Sequence, residues 1–219
     1  MATTSAITLY HAPMTAAMVV HWLLIELELP HRLETLDLDK GEQKSPAYLK
    51  LNPAGVVPTL VIGDQVICEA AAICMHLGEL CPERKLAPPV GTPGRARYYQ
   101  WMFFMANTLQ PAYRAWFYPT EPAGEANVEA AKAQARARIE AAWEQVAAHL
   151  EAESGSSGPY LLGADLSIVD FMTTMLMRWS RNMPKPVDRW PALHAYAQRM
   201  KGRPSWKEMY RREGLTDWV

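Results

Sequence analysis

The chain has 219 residues, enough for two modest domains with cores of their own, and its 49% hydrophobic and 21% charged residues are the balance of a soluble globular protein. A net charge of -1 gives no electrostatic case for nucleic acid or for an anionic membrane surface. The longest apolar stretch, Ala16 to Leu27, contains His21 and Glu26 and is too short to span a bilayer, and Met1 to Ala6 lacks the basic flank of a signal peptide, so the expectation is a cytoplasmic protein.

In chain order, Ile7 to Tyr10 reads as a first strand, and Ala12-Pro13-Met14-Thr15 as the turn into a helix whose apolar residues include Val19, Val20, Leu23, Leu24 and Leu27. Leu33 to Leu38 is a second strand, and Ser45 to Leu51 a short segment. Asn52-Pro53-Ala54-Gly55 marks a tight turn, and Val56 to Ile62 reads as a short buried strand. Pro58 cannot donate to a sheet ladder, so it belongs at that strand's start, where a Val-Pro bond can be held cis. The backbone N-H and C=O of Val57 would then face outward, free to pair with an extended, peptide-like ligand. Gly63-Asp64-Gln65 turns the chain into a return strand, Val66 to Cys68, and Glu69 opens a helix whose free N-H groups suit a carboxylate. The order predicts a small mixed sheet with helices on both faces.

Pro82 to Pro93 has four prolines and one glycine, the composition of a linker. Beyond it the strand signal ends. Tyr98, Trp101, Met102, Met105, Leu109, Ala112 and Tyr113 recur at three- and four-residue steps, predicting a long helix kinked at Pro111. Pro119 to Gly124 breaks the chain. A second long helix carries Val128, Ala131, Ala135, Ile139, Trp143, Val146 and Leu150 on one stripe, ending at a turn over Ser154 to Gly158. Ser167-Ile168-Val169-Asp170 is a capping box with Leu166 and Phe171 as its staple, and Trp190-Pro191 and Arg203-Pro204 start two more helices. Three cysteines, Cys68, Cys74 and Cys81, with no Cys-x-x-Cys pair, argue against a disulfide framework or a zinc site, so no metal is expected.

The Val57-Pro58 turn and the Glu69-Ala70-x-Ala72-Ile73 helix start resemble the glutathione-binding half of the glutathione transferases, and the string from Tyr160 to Phe171 resembles the helix start at the centre of their C-terminal domain. The resemblance covers nearly the whole chain. It implies an α/β thioredoxin-like N-terminal domain (1–82), a linker (83–93) and an all-α C-terminal domain (94–219). It implies glutathione as co-substrate, a homodimer, and detoxification chemistry in which the glutathione thiolate attacks a small hydrophobic electrophile.

The resemblance also assigns candidate residues. Leu9-Tyr10-x-x-Pro13-x-Thr15 is similar to the strand and turn of serine-dependent members, with Thr15 in the place of the serine that activates the thiol. Tyr10 and His11 remain rivals, and Ala16 stands where cysteine-dependent bacterial classes carry their cysteine. Lys44 resembles the lysine that meets the glycine carboxylate, Val57 and Pro58 the backbone that holds the peptide, and Glu69 and Ala70 the helix start that meets the γ-glutamyl end. Two departures weaken the match. Val56 replaces a polar or basic residue, and Ala70 replaces a serine. For the second substrate, Tyr113, Trp116 and Phe117, with Tyr118, are the candidate aromatic wall, and Arg178 and Arg181 could meet an acidic substrate. The alternative is a non-catalytic binding or interaction protein on the same scaffold.

Overall fold

The computed structural model describes residues 6–154 and 158–219, so most of the turn expected between Ser154 and Gly158 lies outside the described residues. The chain divides into two compact units, one formed by the chain up to Lys85 with Gly202–Asp217 and Val219, the other by Leu86–Lys201 with Trp218.

The first unit is built around β1 (Ile7–His11), whose alternation buries Ile7, Leu9 and His11 and leaves Thr8 and Tyr10 half-buried. A turn leads into α1 (Ala17–Glu26), buried from Ala17 to Leu24. β2 (His31–Thr35) runs parallel to β1 with Leu9 opposite Leu33. It starts before the expected Leu33 and stops at Thr35, because β1 ends opposite it at His11, whose carbonyl takes the Leu36 N-H at 2.8 Å. A 3-10 turn, Glu42–Lys44, precedes α2 (Pro46–Leu49), where the Ser45 hydroxyl accepts from the Tyr48 N-H and Pro46 sits in the first turn. β3 (Thr59–Ile62) and β4 (Gln65–Cys68) complete a sheet of order β2-β1-β3-β4, with β3 antiparallel to both its neighbours. β3 begins after the proline because Pro58 has no N-H and the Val56 carbonyl is engaged by side chains. α3 (Ala70–Leu80) packs against α1. His11 meets His21 of α1 while Tyr10, pointing the other way, meets Tyr48 of α2, so helices cover both faces. This mixed sheet is that of a thioredoxin-like domain.

Among the described residues of the second unit there is no strand. α4 (Pro93–Phe104), one π-helical turn (Met105–Leu109) and α5 (Gln110–Phe117) form a single run. In place of the kink expected at Pro111 there is that π turn: the missing proline N-H and the bulk of its ring are absorbed by one widened turn. α6 (Thr120–Ala123) and α7 (Val128–Ser154) follow, α7 packing along α5. α8 (Ile168–Trp179) is buried from Ile168 to Arg178 and is the axis of this unit, with α9 (Pro191–Lys201) against it. The capping box is present, and Asp170 does more than cap. Its Oδ2 accepts from the Ser167 N-H at 2.7 Å and hydroxyl at 3.0 Å, and its Oδ1 accepts from the Leu161 N-H at 3.0 Å and the Tyr196 hydroxyl at 2.6 Å.

The last helix, α10 (Pro204–Glu213), packs on α1, not with the other helices of the 94–219 stretch as the sequence reading had it. Trp22 Nε1 donates to Ser205 Oγ at 2.8 Å, the Trp22 and Trp206 rings meet edge-on at 4.7 Å, and Glu26 is bound by Arg203 and Ser205.

Candidate functional site

Thr15 lies in the turn after β1. Its hydroxyl donates to the Ala12 carbonyl at 2.7 Å and accepts from the Ala17 N-H at 3.2 Å, so it ties the strand end to the first amides of α1. The neighbouring Met14 is exposed and has φ 66°, a left-handed conformation that costs a non-glycine residue about 1–3 kcal/mol and concentrates at functional sites. Sequence reasoning had no signal for it. The two rivals diverge. Tyr10 is half-buried, its ring 5.6 Å from that of Tyr48, whereas His11 is 3% exposed, its Nε2 2.9 Å from Thr35 Oγ1. Burial holds the His11 imidazole below its usual range.

The Val57-Pro58 peptide bond is cis, and no backbone hydrogen bond among the described residues uses Val57. The loop before it is built from inside. The Tyr48 hydroxyl donates to the Val56 carbonyl at 2.6 Å, and Asn52 Nδ2 reaches the same oxygen at 2.8 Å. Both side chains also meet Thr59 Oγ1, at 2.8 and 3.2 Å, and Ala54 donates to Asn52 Oδ1 at 3.1 Å. With the Val56 carbonyl held inward, Val57 is the residue whose backbone is left available. Tyr48, Asn52 and Thr59 were missed as loop organisers; Asn52-Pro53 in a turn was the signal that could have found Asn52.

Lys44 is exposed and its Nζ donates to the Ala54 carbonyl at 3.0 Å, which brings it over the same loop. Gly55, with φ 60°, allows that approach: a Cβ there would come within 2.7 Å of Lys44 Nζ and 2.9 Å of the Gln43 carbonyl. Glu69 is exposed and precedes α3 with φ 69° and ψ 112°, again left-handed, and Ala70 is buried as the helix's first residue. Thr15, Val57, Pro58, Lys44, Glu69 and Ala70 thus belong to one unit, at the starts of two helices and the loop between them. Helix starts carry unpaired N-H groups and a partial positive charge, which suits an anion.

In the second unit Tyr113 is wholly buried: its hydroxyl accepts from Trp143 Nε1 at 2.9 Å, and its ring stacks on Phe117 and meets Trp179 edge-on. Burial pushes its phenol well above the usual value. Phe117 and Tyr118 are the exposed members of that run, and Trp116 is half-buried with Lys132 Nζ 5.7 Å above its ring. Arg178 is buried, and its carbonyl accepts from Arg181 Nη1. A groove of about 470 Å³ along the π turn, lined by Phe104, Asn107, Thr108 and Arg138 among others, includes none of the candidate substrate residues. Among the described residues no group of three or more His, Cys, Asp or Glu is placed to hold a metal ion, and no helix is long and apolar enough to cross a membrane.

Two family models match the chain, the glutathione S-transferase N-terminal domain over residues 5–79 and its C-terminal domain over 129–199. A glutathione transferase from Methylococcus capsulatus is similar at 30% identity and TM-score 0.84, over 96% of this chain and 100% of its own. The chain belongs to the glutathione S-transferase family. Other relatives of this transferase include GST-4.5 from Xanthomonas campestris pv. campestris, 29% identical over 95% of this chain and 99% of that protein. A glutathione transferase homologue from Sulfitobacter, crystallised with bound glutathione, is 25% identical with TM-score 0.86 over 97% of this chain and 100% of that one.

Proposed function

We propose that this transferase binds glutathione on its first unit and activates the thiol for attack on a small hydrophobic electrophile, as a cytoplasmic homodimer engaged in detoxification. The observation that carries the reading is the backbone of Val57, unpaired among the described residues, in the unit that also holds two helix starts, which suits an extended peptide with carboxylates at its ends. Val57 would pair with the cysteinyl backbone next to Pro58. Lys44 would meet the glycine carboxylate, and Glu69 with the Ala70 N-H the γ-glutamyl end. The glutathione bound to the Sulfitobacter homologue supports the ligand. Trp116 and Phe117, backed by Tyr113, are the aromatic residues proposed to meet the electrophile.

A free thiol with a pKa of about 8.5 is only a few per cent ionised at neutral pH, and each unit of lowering needs about 1.4 kcal/mol of thiolate stabilisation. Thr15 supplies this by turning its proton from the Ala12 carbonyl to the sulfur, while the Ala17 N-H keeps the oxygen polarised. Because that proton already has an acceptor at 2.7 Å, the net gain is modest, and so is the activity.

Val56 and Ala70 favour the second reading, a non-catalytic protein on the same scaffold, since both remove a polar contact to the ligand. A glutathione titration by calorimetry followed by a thiol-conjugation assay separates the two. Restoring a hydroxyl with Ala70→Ser is expected to tighten binding roughly tenfold, the effect of one hydrogen bond to a charged group. Absence of binding in both proteins would refute the ligand; binding without conjugation of any electrophile would favour the second reading.

A further inference from the structure

Three imidazoles lie together in the first unit, those of His11 and His21 buried and that of His31 half-buried with its Nε2 shut off from solvent. His11 ends β1, His21 lies in α1 and His31 opens β2, with ring centroids 5.9 Å apart for His11 and His21 and 5.5 Å for His21 and His31. His21 Nδ1 lies 2.7 Å from Oε1 of Glu213, the last residue of α10, and both side chains are shut off from solvent. A carboxylate and a carbonyl only accept, so His21 Nδ1 donates to Glu213 and His31 Nδ1 donates to the Leu29 carbonyl at 2.7 Å. The other nitrogen of each ring, Nε2, is buried with no partner among the described residues, and so are His11 Nδ1 and Glu213 Oε2. A second proton on His11 or His31 therefore makes a buried N-H that nothing among the described residues accepts, beside another imidazole. That is the costly form of an unmade hydrogen bond.

We propose that His11, His21, His31 and Glu213 form an acid-sensitive latch that holds the C-terminal end of α10 against α1 and β1, and lets it go when the cluster takes up a further proton. The N-terminal end of α10 is tied separately, through Arg203 and Ser205 to Glu26 and through Trp206 to Trp22, so release begins at Glu213. The groups that face the cluster are His11 from β1, His21 from α1, His31 from β2, and Glu213 and Arg212 from α10. α3, which also packs on α1, buries Ile73, Cys74 and Leu77, and burial keeps the Cys74 thiol protonated.

His11 and His31 are both held below the ordinary imidazole range, chiefly by loss of water. His21 and His31 add to the effect at His11 while Glu213 opposes it; His21 and Arg212 add to it at His31 while the Leu29 carbonyl opposes it. Such a histidine binds fewer protons folded than unfolded. The stability it lends is complete above about pH 6.5 and is lost as the pH falls through that value toward the depressed one. The latch thus works in weak acid, and it acts on the strand whose end leads into the Thr15 turn. It stands whether or not the chain uses glutathione.

Hydrogen exchange of the full chain, followed by mass spectrometry at about pH 7.5 and about pH 5.5 and corrected for intrinsic rates, tests it. Peptides over 208–214 should lose protection several-fold at the lower pH, with a ceiling of about a hundredfold if each of two rings contributes its full tenfold, while α8 keeps its protection. The double variant His11→Gln/His31→Gln should show nearly equal protection at both pH values. Glu213→Gln, which removes the charge that helps the folded cluster accept a proton, should deepen the loss at the lower pH without moving its onset. Should the variants fail to fold, NMR titration of the ring protons in the unaltered chain decides: His11 and His31 should take up protons only as the α10 amides lose protection. Equal protection of 208–214 at the two pH values in the unaltered chain would overturn the latch. So would an undiminished loss in the double variant, or His11 and His31 titrating freely while α10 stays protected.

Discussion

Asp170→Ala removes the acceptor of four hydrogen bonds from a wholly buried position, and the size of the loss follows from what is left behind. The Ser167 hydroxyl can rotate to another acceptor, but the backbone N-H groups of Leu161 and Ser167 and the Tyr196 hydroxyl cannot easily do so, and all three residues are at most 2% exposed. An unsatisfied buried donor costs about 1–3 kcal/mol, so three, with some relaxation, cost about 3–5 kcal/mol, a large share of the roughly 5–15 kcal/mol that holds a domain together. Burial also pushes the Asp170 carboxyl up against these hydrogen bonds. Asp170→Asn removes that penalty but turns an NH2 toward two donors, so it should cost about 2–4 kcal/mol. Urea unfolding followed by tryptophan fluorescence reads the change, since Trp143 and Trp179 lie in the same unit. Tyr196→Phe should cost about 1–2 kcal/mol in the unaltered chain and close to nothing added to Asp170→Ala. A loss below about 1 kcal/mol for Asp170→Ala, or an equal effect of Tyr196→Phe in both backgrounds, would show that the network does not carry the start of α8.

Gly55→Ala forces a side chain into a left-handed position and against Lys44 and the Gln43 carbonyl, so it should cost about 1–2 kcal/mol in thermal unfolding and weaken glutathione binding, while Gly41→Ala, equally left-handed but with nothing within 4 Å, should cost stability alone. Light scattering at micromolar concentration should give the mass of two chains; the mass of one chain would rule out the homodimer.

The strands and the hairpin of the mixed sheet were legible in the sequence because their punctuation is chemical. Pro58 sets the start of β3 and Gly63-Asp64 the hairpin, whereas the helix starts at Pro46 and Pro93 went unread, the first inside a short segment and the second inside the linker. Candidate loops and helix starts could be read for the same reason, through short motifs of special backbone conformation. What could not be read depends on contacts far apart in sequence. The return of α10 to α1 rests on pairs such as His21 with Glu213, 192 residues apart, and no local pattern announces them. The π turn at Met105–Leu109 was replaced in expectation by a kink, since Pro111 signals a missing donor without saying how the helix absorbs it. The left-handed backbone at Met14 and Glu69 is likewise invisible, because neither residue type favours it.

The ionisation of bound glutathione tests the central claim most directly. The thiolate absorbs in the ultraviolet where the thiol does not, so a pH titration of the complex gives the thiol pKa on the unaltered chain and on Thr15→Ala, Thr15→Ser and Tyr10→Phe. The account predicts a bound thiol at least about one unit below the free value of about 8.5. Thr15→Ala should return about one unit, or about 1.4 kcal/mol, with glutathione affinity nearly unchanged, and Thr15→Ser should match or improve on the unaltered chain. A bound thiol that ionises like the free one, or one that Thr15→Ala leaves lowered while Tyr10→Phe or His11→Ala restores it, would contradict the account.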